Sequence, residues 1–421
     1  MSNFLYGLDF GTTNSVLSIY DEDKKEIIET IRVPSLIYFP EKLASADDNY
    51  VIGEEAIVAY LEEGMKGRFI KSIKQILSRS SFIETRINGR RYNASDLVSL
   101  ILKDLKSKAD QITGEDCRKA VIGRPVFFDD DNTAKDSLAQ TRLSKAVEIA
   151  GFSNVRFQFE PIGAAFAYER TIEKKESVLV ADLGGGTTDF TFVELDPDQA
   201  RVKDRRNDMI ASGGIYIGGD SFDSSFMWIK GTPYFGKDTL YEATPGKVLK
   251  VPISLFDNIC TWDKMNFFNS LRIKRSMEEY YHYSNNDPKF RNLLTLIDNN
   301  LGYSVFQSIE KTKIGLSVED VSQFQYSNMG IEINEAISIN DYNEVIRKDV
   351  QKISDYLDRF LNENGIEAAS IDSLFLTGGS SMVKAVRDLF VTKFPNSKIN
   401  SGDNFISVAN GLAYSGYLFE D

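Results

Sequence analysis

Two cysteines and one histidine in 421 residues leave little room for several kinds of chemistry. Cys117 and Cys260 lie far apart without metal-ligand spacing, which excludes a disulfide framework and disfavours a zinc site, and a lone His282 disfavours Ser-His catalysis. Both thiols read as small packing residues and His282 as a surface ring in a polar tract. Basic charge is also short. Lys and Arg number 49 against 62 Asp and Glu, a formal net charge of −13 and a pI near 4.9, so a general nucleic-acid or anionic-membrane binder is excluded. No apolar run approaches membrane-spanning length, and the opening "MSNFLYGLDF" has neither a basic leader nor a signal-type apolar segment. A cytoplasmic protein with no membrane partner is expected. What is present is a chain 42% hydrophobic and 26% charged, enough for a large core in two domains or one two-lobed unit.

The chain repeats itself. "LYGLDFGTTNSVLSIYD", residues 5 to 21, and "VLVADLGGGTTDFTFVELD", residues 178 to 196, share one grammar: an apolar strand, an aspartate, a glycine turn with paired threonines, then a second strand. Both predict hairpins. A turn of small residues points several N–H groups one way and forms an anion-binding concavity, to which threonine hydroxyls add donors. An aspartate just before such a turn would repel phosphate unless a cation stood between them. Mg²⁺, held mostly through waters and few protein carboxylates, suits that place, so Asp9 and Asp182 read as two anchors for hydrated Mg²⁺ on a nucleotide's phosphates. One such turn alone is equally well a tight hairpin and nothing more; two matched copies favour the phosphate reading.

Two more glycine elements point the same way. "SLFLTGGSSMVKAVRDLF", residues 373 to 390, predicts an apolar strand, the turn Gly378-Gly379-Ser380-Ser381, and an amphipathic helix with Val383, Val386, Leu389 and Phe390 on one side. Strand, Gly-Gly turn and helix N-terminus together form a common seat for a nucleotide. "GGIYIGGDSFD", residues 213 to 223, offers Gly218-Gly219-Asp220 in a similar position. "EPIGAAFAYER", residues 160 to 170, and "ISVANGLAYSGYL", residues 406 to 418, predict helices rich in Ala, Gly and Ser that cross closely between the lobes; such a crossing is also compatible with a shear motion.

In order, "GLDFGTTNS", "IGRPVFF", "EPIGAAFAYE", "VADLGGGTTDF", "IGGDSFD", "FLTGGSS" and "SVANGLAYSGY" resemble the nucleotide-binding domain of the 70-kDa heat-shock chaperones, within the actin-like and sugar-kinase-like ATPase superfamily. The resemblance covers nearly the whole chain, although residues 224 to 300 match only loosely. With no apolar linker or β-sandwich after the second small-residue helix, it is nearest to the short YegD-like branch.

The resemblance implies roles residue by residue. Asp9, Gly11, Thr12, Thr13 and Asn14 would hold the β- and γ-phosphates and the metal. Gly184, Gly185, Gly186 and Thr187 would hold the other side of the triphosphate, with Asp182 near Mg²⁺ and Asp189 near the hydrolytic water. Lys74, with Lys71 its competitor, would reach the γ-phosphate, the alternative being an exposed lysine on an amphipathic helix. Glu160 would help organise metal and water, and Pro125 would relay nucleotide state. Lys74, Glu160, Asp189 and Thr187 make up the implied catalytic set. On the adenosine side the nucleotide would meet Gly218, Gly219, Asp220, Gly378, Gly379 and Ser380, with Glu310 and Lys313 on the ribose. The sequence departs from the family there: Ile314 and Met382 stand where arginines usually grip adenine, and Phe405 where an acid is usual.

The expected fold class is α/β, a two-lobed actin-like ATPase fold of duplicated ribonuclease-H-like lobes, each a mixed sheet with flanking helices. Lobe I would take residues 1–176, with a smaller subdomain over about 40–93 and the C-terminal helix 405–421 returning to it. Lobe II would take 177–404, with a smaller subdomain over about 225–305. The function implied is a slow, ATP-hydrolysing chaperone-type switch with ATP/ADP and Mg²⁺ as cofactors, a protein client or co-chaperone as partner, no nucleic acid, and a monomeric state. A small-molecule kinase and an actin-like filament protein are the other functions this fold allows.

Overall fold

The computed structural model describes residues 3–41, 50–128, 132–199, 208–261, 268, 270–400 and 406–419. The chain divides into two compact units, one of Met1–Gly218, Ile353–Ser381 and Arg387–Asp421, the other of Gly219–Lys352 and Met382–Val386.

The first unit carries two five-stranded sheets of one design. In the first, Phe4–Phe10 pairs antiparallel with Asn14–Asp21, and that strand with Glu26–Pro34, while on the other side Phe4–Phe10 runs parallel to Lys119–Arg124 and this to Asn154–Phe159. In the second, Glu176–Leu183 pairs antiparallel with Thr188–Leu195, and that strand with Met209–Ile215, while Glu176–Leu183 runs parallel to Ser373–Thr377 and this to Lys398–Asn400. The repeat read in the sequence is thus a repeat of whole sheets. Continuous apolar runs such as Val178-Leu179-Val180-Ala181 form these strands because both faces are covered, leaving no solvent side to demand alternation.

Helices cover the sheets for local reasons. Ala94–Thr113 starts at a capping box, in which the Asn93 side chain accepts from the Asp96 N–H and the Asp96 side chain from the Asn93 N–H, and it stops at Gly114 with φ of 72°. It buries Leu97, Ile101 and Leu105 against the first sheet's Leu17 and Ile19. Thr133–Ile149 is capped by Asn132, whose side chain accepts from the N–H groups of Ala134 and Lys135.

The two small-residue helices are present as Glu160–Glu169 and Ser407–Tyr414, the latter followed by a 3₁₀ turn over Ser415–Phe419. They cross so tightly that a β-carbon on Gly411 would overlap the Gly163 carbonyl oxygen. Around them Ala164, Ala165, Phe166, Val408 and Leu412 join one core with Leu5 and Val121 of the first sheet and Val178, Val180 and Phe375 of the second.

The second unit is built on other elements: helices Gly219–Phe226, Leu271–Tyr283, Pro288–Asp298 and Gly302–Leu316, with the antiparallel pairs Leu240–Thr244/Lys247–Lys250 and Val321–Asn328/Ile331–Ser338. Phe226 packs edge-on against Phe324 and tilted against Tyr342. Cys117, in the first unit, and Cys260, in the second, are free thiols and both buried, and His282 is exposed. Among the described residues no helix is long and apolar enough to cross a membrane.

One sequence expectation needs correction. After Ser373–Thr377 the expected turn closes as a 3₁₀ turn over Gly379–Met382 and the expected helix runs from Lys384 to Lys393, so Val383, expected on the helix face, stands just before it. Gly378, at φ of 80°, lets the turn fold back toward the second sheet, where the Ser380 hydroxyl donates to the Gly184 carbonyl, while the Ser381 hydroxyl donates to the Gly378 carbonyl within the turn itself.

Candidate functional site

Both expected phosphate turns belong to the first unit, at equivalent ends of the two sheets. Gly11-Thr12-Thr13 joins the first strand pair and Gly184-Gly185-Gly186-Thr187 the second. They face each other: a β-carbon placed on Gly186 would lie 3.9 Å from Thr12 Cγ2 and 3.0 Å from Gln75 Nε2. Gln75 follows Lys74 in the four-residue 3₁₀ helix Ile73–Ile76, so three chain segments converge on one place.

Each turn is braced from behind. The Ser35 hydroxyl donates to the Gly11 carbonyl at 2.8 Å, and the Ser35 N–H to the Thr13 carbonyl at 2.8 Å. The Arg32 Nε donates to Asn14 Oδ1 at 3.2 Å. In the second turn the Gly184 N–H donates to the Thr187 carbonyl at 2.9 Å, the Ser380 hydroxyl donates to the Gly184 carbonyl at 2.9 Å, and a β-carbon on Gly218 would lie 2.6 Å from the Gly184 and Gly185 carbonyl oxygens. Gly378 sits against Asp182, where a β-carbon would lie 2.8 Å from Oδ1. Gly218, Gly378 and Ser380 therefore support the second turn closely. Thr13 Oγ1 is buried with no hydrogen-bond partner, a cost a protein ordinarily avoids, and a donor ready for an added acceptor.

Charge gathers at the same place. Lys74 Nζ donates to Glu160 Oε1 at 2.7 Å, the side chains being 15% and 9% exposed; Lys74 is no exposed surface lysine. Burial alone would lower the Lys74 pKa, but the Glu160, Asp9 and Asp182 carboxylates outweigh it and hold the ammonium above its ordinary value. Asp9 is pushed up to about 8 by burial and by Glu160 and Asp182, with Lys74 opposing. Asp182 is raised to about 6 by burial and Glu160, against Lys74. Asp189 is raised to about 7 by burial and Asp182, while it accepts from the Thr187 hydroxyl at 2.8 Å. A β-carbon on Gly214 would overlap Asp189 Oδ1, so that strand position must stay bare. Asp9, Asp182, Asp189 and Glu160 share this field with Lys74, and the three aspartates are all shifted toward protonation, Asp9 the most.

Most of the expected adenosine-side residues lie in the second unit. Gly219 and Asp220 open the helix Gly219–Phe226. Glu310, Lys313 and Ile314 lie on Gly302–Leu316: Glu310 is exposed, Ile314 is 59% exposed, and Lys313 Nζ is held by Asp223 at 2.8 and 2.9 Å. Met382 is 47% exposed. Gly379 belongs to the 3₁₀ turn in the first unit, and Phe405 lies outside the described residues. Sequence reading missed Gln75, Ser35, Arg32, Gly214 and Asp223. Gly214 and Asp223 lie inside the quoted GGIYIGGDSFD stretch and Gln75 next to Lys74, while Ser35 and Arg32 belong to no motif.

A family model described as Hsp70 protein matches residues 5–229, just over half the chain and the part that holds both turns, Lys74 and Glu160. The chain belongs to the Hsp70 family. It is 28% identical over 428 residues to the chaperone protein DnaK of Mesomycoplasma hyopneumoniae strain J and 27% over 427 residues to that of Mycoplasmopsis pulmonis, in each case over 98% of this chain. Against the DnaK of Thermosipho melanesiensis it is 32% identical over 234 residues, 54% of this chain and 35% of the relative. The chain spans 58% of the length of the two mycoplasmal relatives. Its duplicated mixed sheets with flanking helices are the α/β architecture expected of an Hsp70 ATPase domain.

Proposed function

We propose that this Hsp70-family chain binds ATP and ADP with Mg²⁺ and hydrolyses ATP slowly, as a chaperone-type switch read by a protein client or co-chaperone. The observation that carries the reading is the facing pair of glycine-threonine turns with part-buried Asp9, Asp182 and Lys74 and buried Glu160 around them. Backbone N–H groups of Gly11, Thr12, Thr13 and Asn14 on one side, and of Gly185, Gly186 and Thr187 on the other, take the phosphates, while Gly184, its N–H bonded to the Thr187 carbonyl, closes the second turn and the orphaned Thr13 hydroxyl donates to a phosphate oxygen. Among the described residues no three His, Cys, Asp or Glu side chains stand close enough to cage a metal directly. That donor set suits a hydrated Mg²⁺ held by Asp9 and Asp182. The ion supplies the positive charge that phosphate and two aspartates need in common.

Lys74 is aimed at charge developing on the transferred phosphoryl group, Glu160 keeps it oriented, and Asp189 with Thr187 orients the attacking water. Pro125 relays the nucleotide state. On the adenosine side Gly218, Gly219, Asp220, Gly378, Gly379, Ser380, Glu310 and Lys313 line the nucleoside, and apolar Ile314 and Met382 pack on adenine in place of arginines. Membership in the Hsp70 family favours this reading over a small-molecule kinase or a filament protein. We further propose a cytoplasmic monomer with lobes over 1–176 and 177–404.

The test is calorimetric titration of ATP with Mg²⁺ and with EDTA into wild type, Asp9→Ala and Asp182→Ala. Mg²⁺-dependent binding that each substitution weakens by about tenfold or more is expected. Wild-type affinity in both variants would remove the site.

A further inference from the structure

The geometry points to Arg142, far from the phosphate turns in sequence, as a positioning residue for Lys74; this rests on the reading of Lys74 as the group that meets the phosphoryl charge. Lys74 sits on a poorly secured piece of chain. Its 3₁₀ helix has four residues, a form with weaker hydrogen-bond geometry than an α-helix. Its lead residue, Ser72, is held at φ of 55° and ψ of 37°, a left-handed conformation that costs a non-glycine residue energy and persists only where surroundings enforce it. After Ile76 the chain runs through residues 77–84 without regular structure. Ile73 and Leu77 anchor the apolar side of this segment, both fully buried. Its polar side is closed by single turn bonds, the Arg79 N–H to the Ile76 carbonyl at 3.3 Å and the Phe82 N–H to the Arg79 carbonyl at 3.1 Å, and a further anchor would fix it.

Arg142 supplies it. Nη1 donates to the carbonyls of Ile76, Leu77 and Arg79, each at 3.0 Å, and Nη2 donates to Phe82 at 2.7 Å. One guanidinium thus gathers four carbonyls spread over seven residues, including those at the C-terminal end of the Lys74 turn, where carbonyl dipoles and a positive charge suit each other. The arginine is itself fixed: it belongs to the capped helix Thr133–Ile149, and its own carbonyl accepts from the Ser95 hydroxyl on the helix Ala94–Thr113 at 2.9 Å. A rigid planar fork on a rigid helix sets where the 3₁₀ turn ends. The turn in turn sets where Lys74 meets Glu160 and where Gln75 meets Gly186. Lysine cannot replace the fork, having one ammonium in place of the spread of five donors.

The experiment reads the anchor and its consequence separately. In nucleotide-free protein, amide hydrogen exchange over residues 73–82 is compared in wild type, Arg142→Ala and Arg142→Lys, with melting curves to confirm folding. Exchange in this segment should rise in both variants, more in Ala, while Ala94–Thr113 stays protected. Single-turnover ATP hydrolysis should fall by about tenfold or more in Arg142→Ala, as expected for a misplaced catalytic group, with ATP affinity within about threefold of wild type. In a Lys74→Ala background the same substitution should change the rate by less than about twofold. Unchanged exchange over 73–82 overturns the proposal, and so does a rate loss equally large in both backgrounds. If Lys74→Ala alone leaves hydrolysis unchanged, the role of Lys74 falls and the positioning role with it, whereas the exchange data still report whether Arg142 holds the segment. Should Arg142→Ala fail to fold, Arg142→Lys carries the same comparison.

Discussion

Replacing Lys74 by methionine tests how the charged cluster is balanced in the nucleotide-free protein. At 2.7 Å the Lys74–Glu160 pair has a Coulomb attraction of roughly 6 kcal/mol at an effective dielectric of about 20, much of it offset by taking two ions out of water. Removing one partner of such a buried pair leaves the other charge uncompensated and costs about 3–5 kcal/mol. Here the cost belongs near the upper end, because Asp9 and Asp182 also lean on Lys74. Glu160→Gln should cost less, since Lys74 keeps two acidic neighbours. The double variant Lys74→Met/Glu160→Gln should therefore be milder than the sum, with a coupling of about 2–3 kcal/mol. Urea unfolding in EDTA at pH 8 measures all four corners of the cycle. The Lys74→Met penalty should shrink at pH 5: Asp9, Asp182 and Asp189 have raised pKa values, the folded chain binds more protons than the unfolded one above the ordinary carboxylate range, and stability is regained as pH falls. Additive single costs, within about 0.5 kcal/mol, would refute the balance described.

By the same sign, Asp9→Asn should raise the melting temperature of the nucleotide-free protein at pH 8 and leave it nearly unchanged near pH 4; an equal shift at both would dismiss the raised pKa of Asp9. With Ile314 and Met382 in place of arginines, ATP and GTP should be bound with similar affinity, and Ile314→Arg should tighten adenosine nucleotides by about 1 kcal/mol through stacking; strong adenine selectivity in the wild type, untouched by the substitution, would show on calorimetry that other residues grip the base. Gly411→Ala should cost about 1–3 kcal/mol or more by forcing the two helices apart at Gly163, and an unchanged urea midpoint would contradict that crossing.

The parts of the site made by local chemistry were legible. Asp9-Phe10-Gly11-Thr12-Thr13 and its second copy are short turns whose glycines and threonines dictate their geometry, and the apolar strands around them follow from their neighbours. Lys74 needed the family resemblance to be told from Lys71, because a 3₁₀ turn four residues long leaves no periodic trace. Arg142 was beyond reach: it acts on carbonyls 60 to 66 positions away, and every residue type offers a carbonyl. Asp223 lies inside the quoted IGGDSFD stretch, yet its role was missed because its partner Lys313 is 90 positions distant. Val383 was read as a helix residue because a Gly-Gly-Ser-Ser turn carries no sign of where its 3₁₀ closure hands over to the helix, which begins at Lys384.

The burial of both thiols makes this chain a nearly blank background for site-directed labelling. Cys117 is fully enclosed, its Sγ turned to the Phe4 and Lys119 carbonyls, and burial pushes the Cys260 thiol up to about 12, so neither offers a thiolate to a maleimide at neutral pH. A cysteine introduced at an exposed position such as Leu271, 74% exposed, would then take a fluorophore or spin label without first stripping the native residues. Paired with a second label in the other compact unit, it would report nucleotide-dependent rearrangement as a distance distribution, read from an otherwise wild-type sequence.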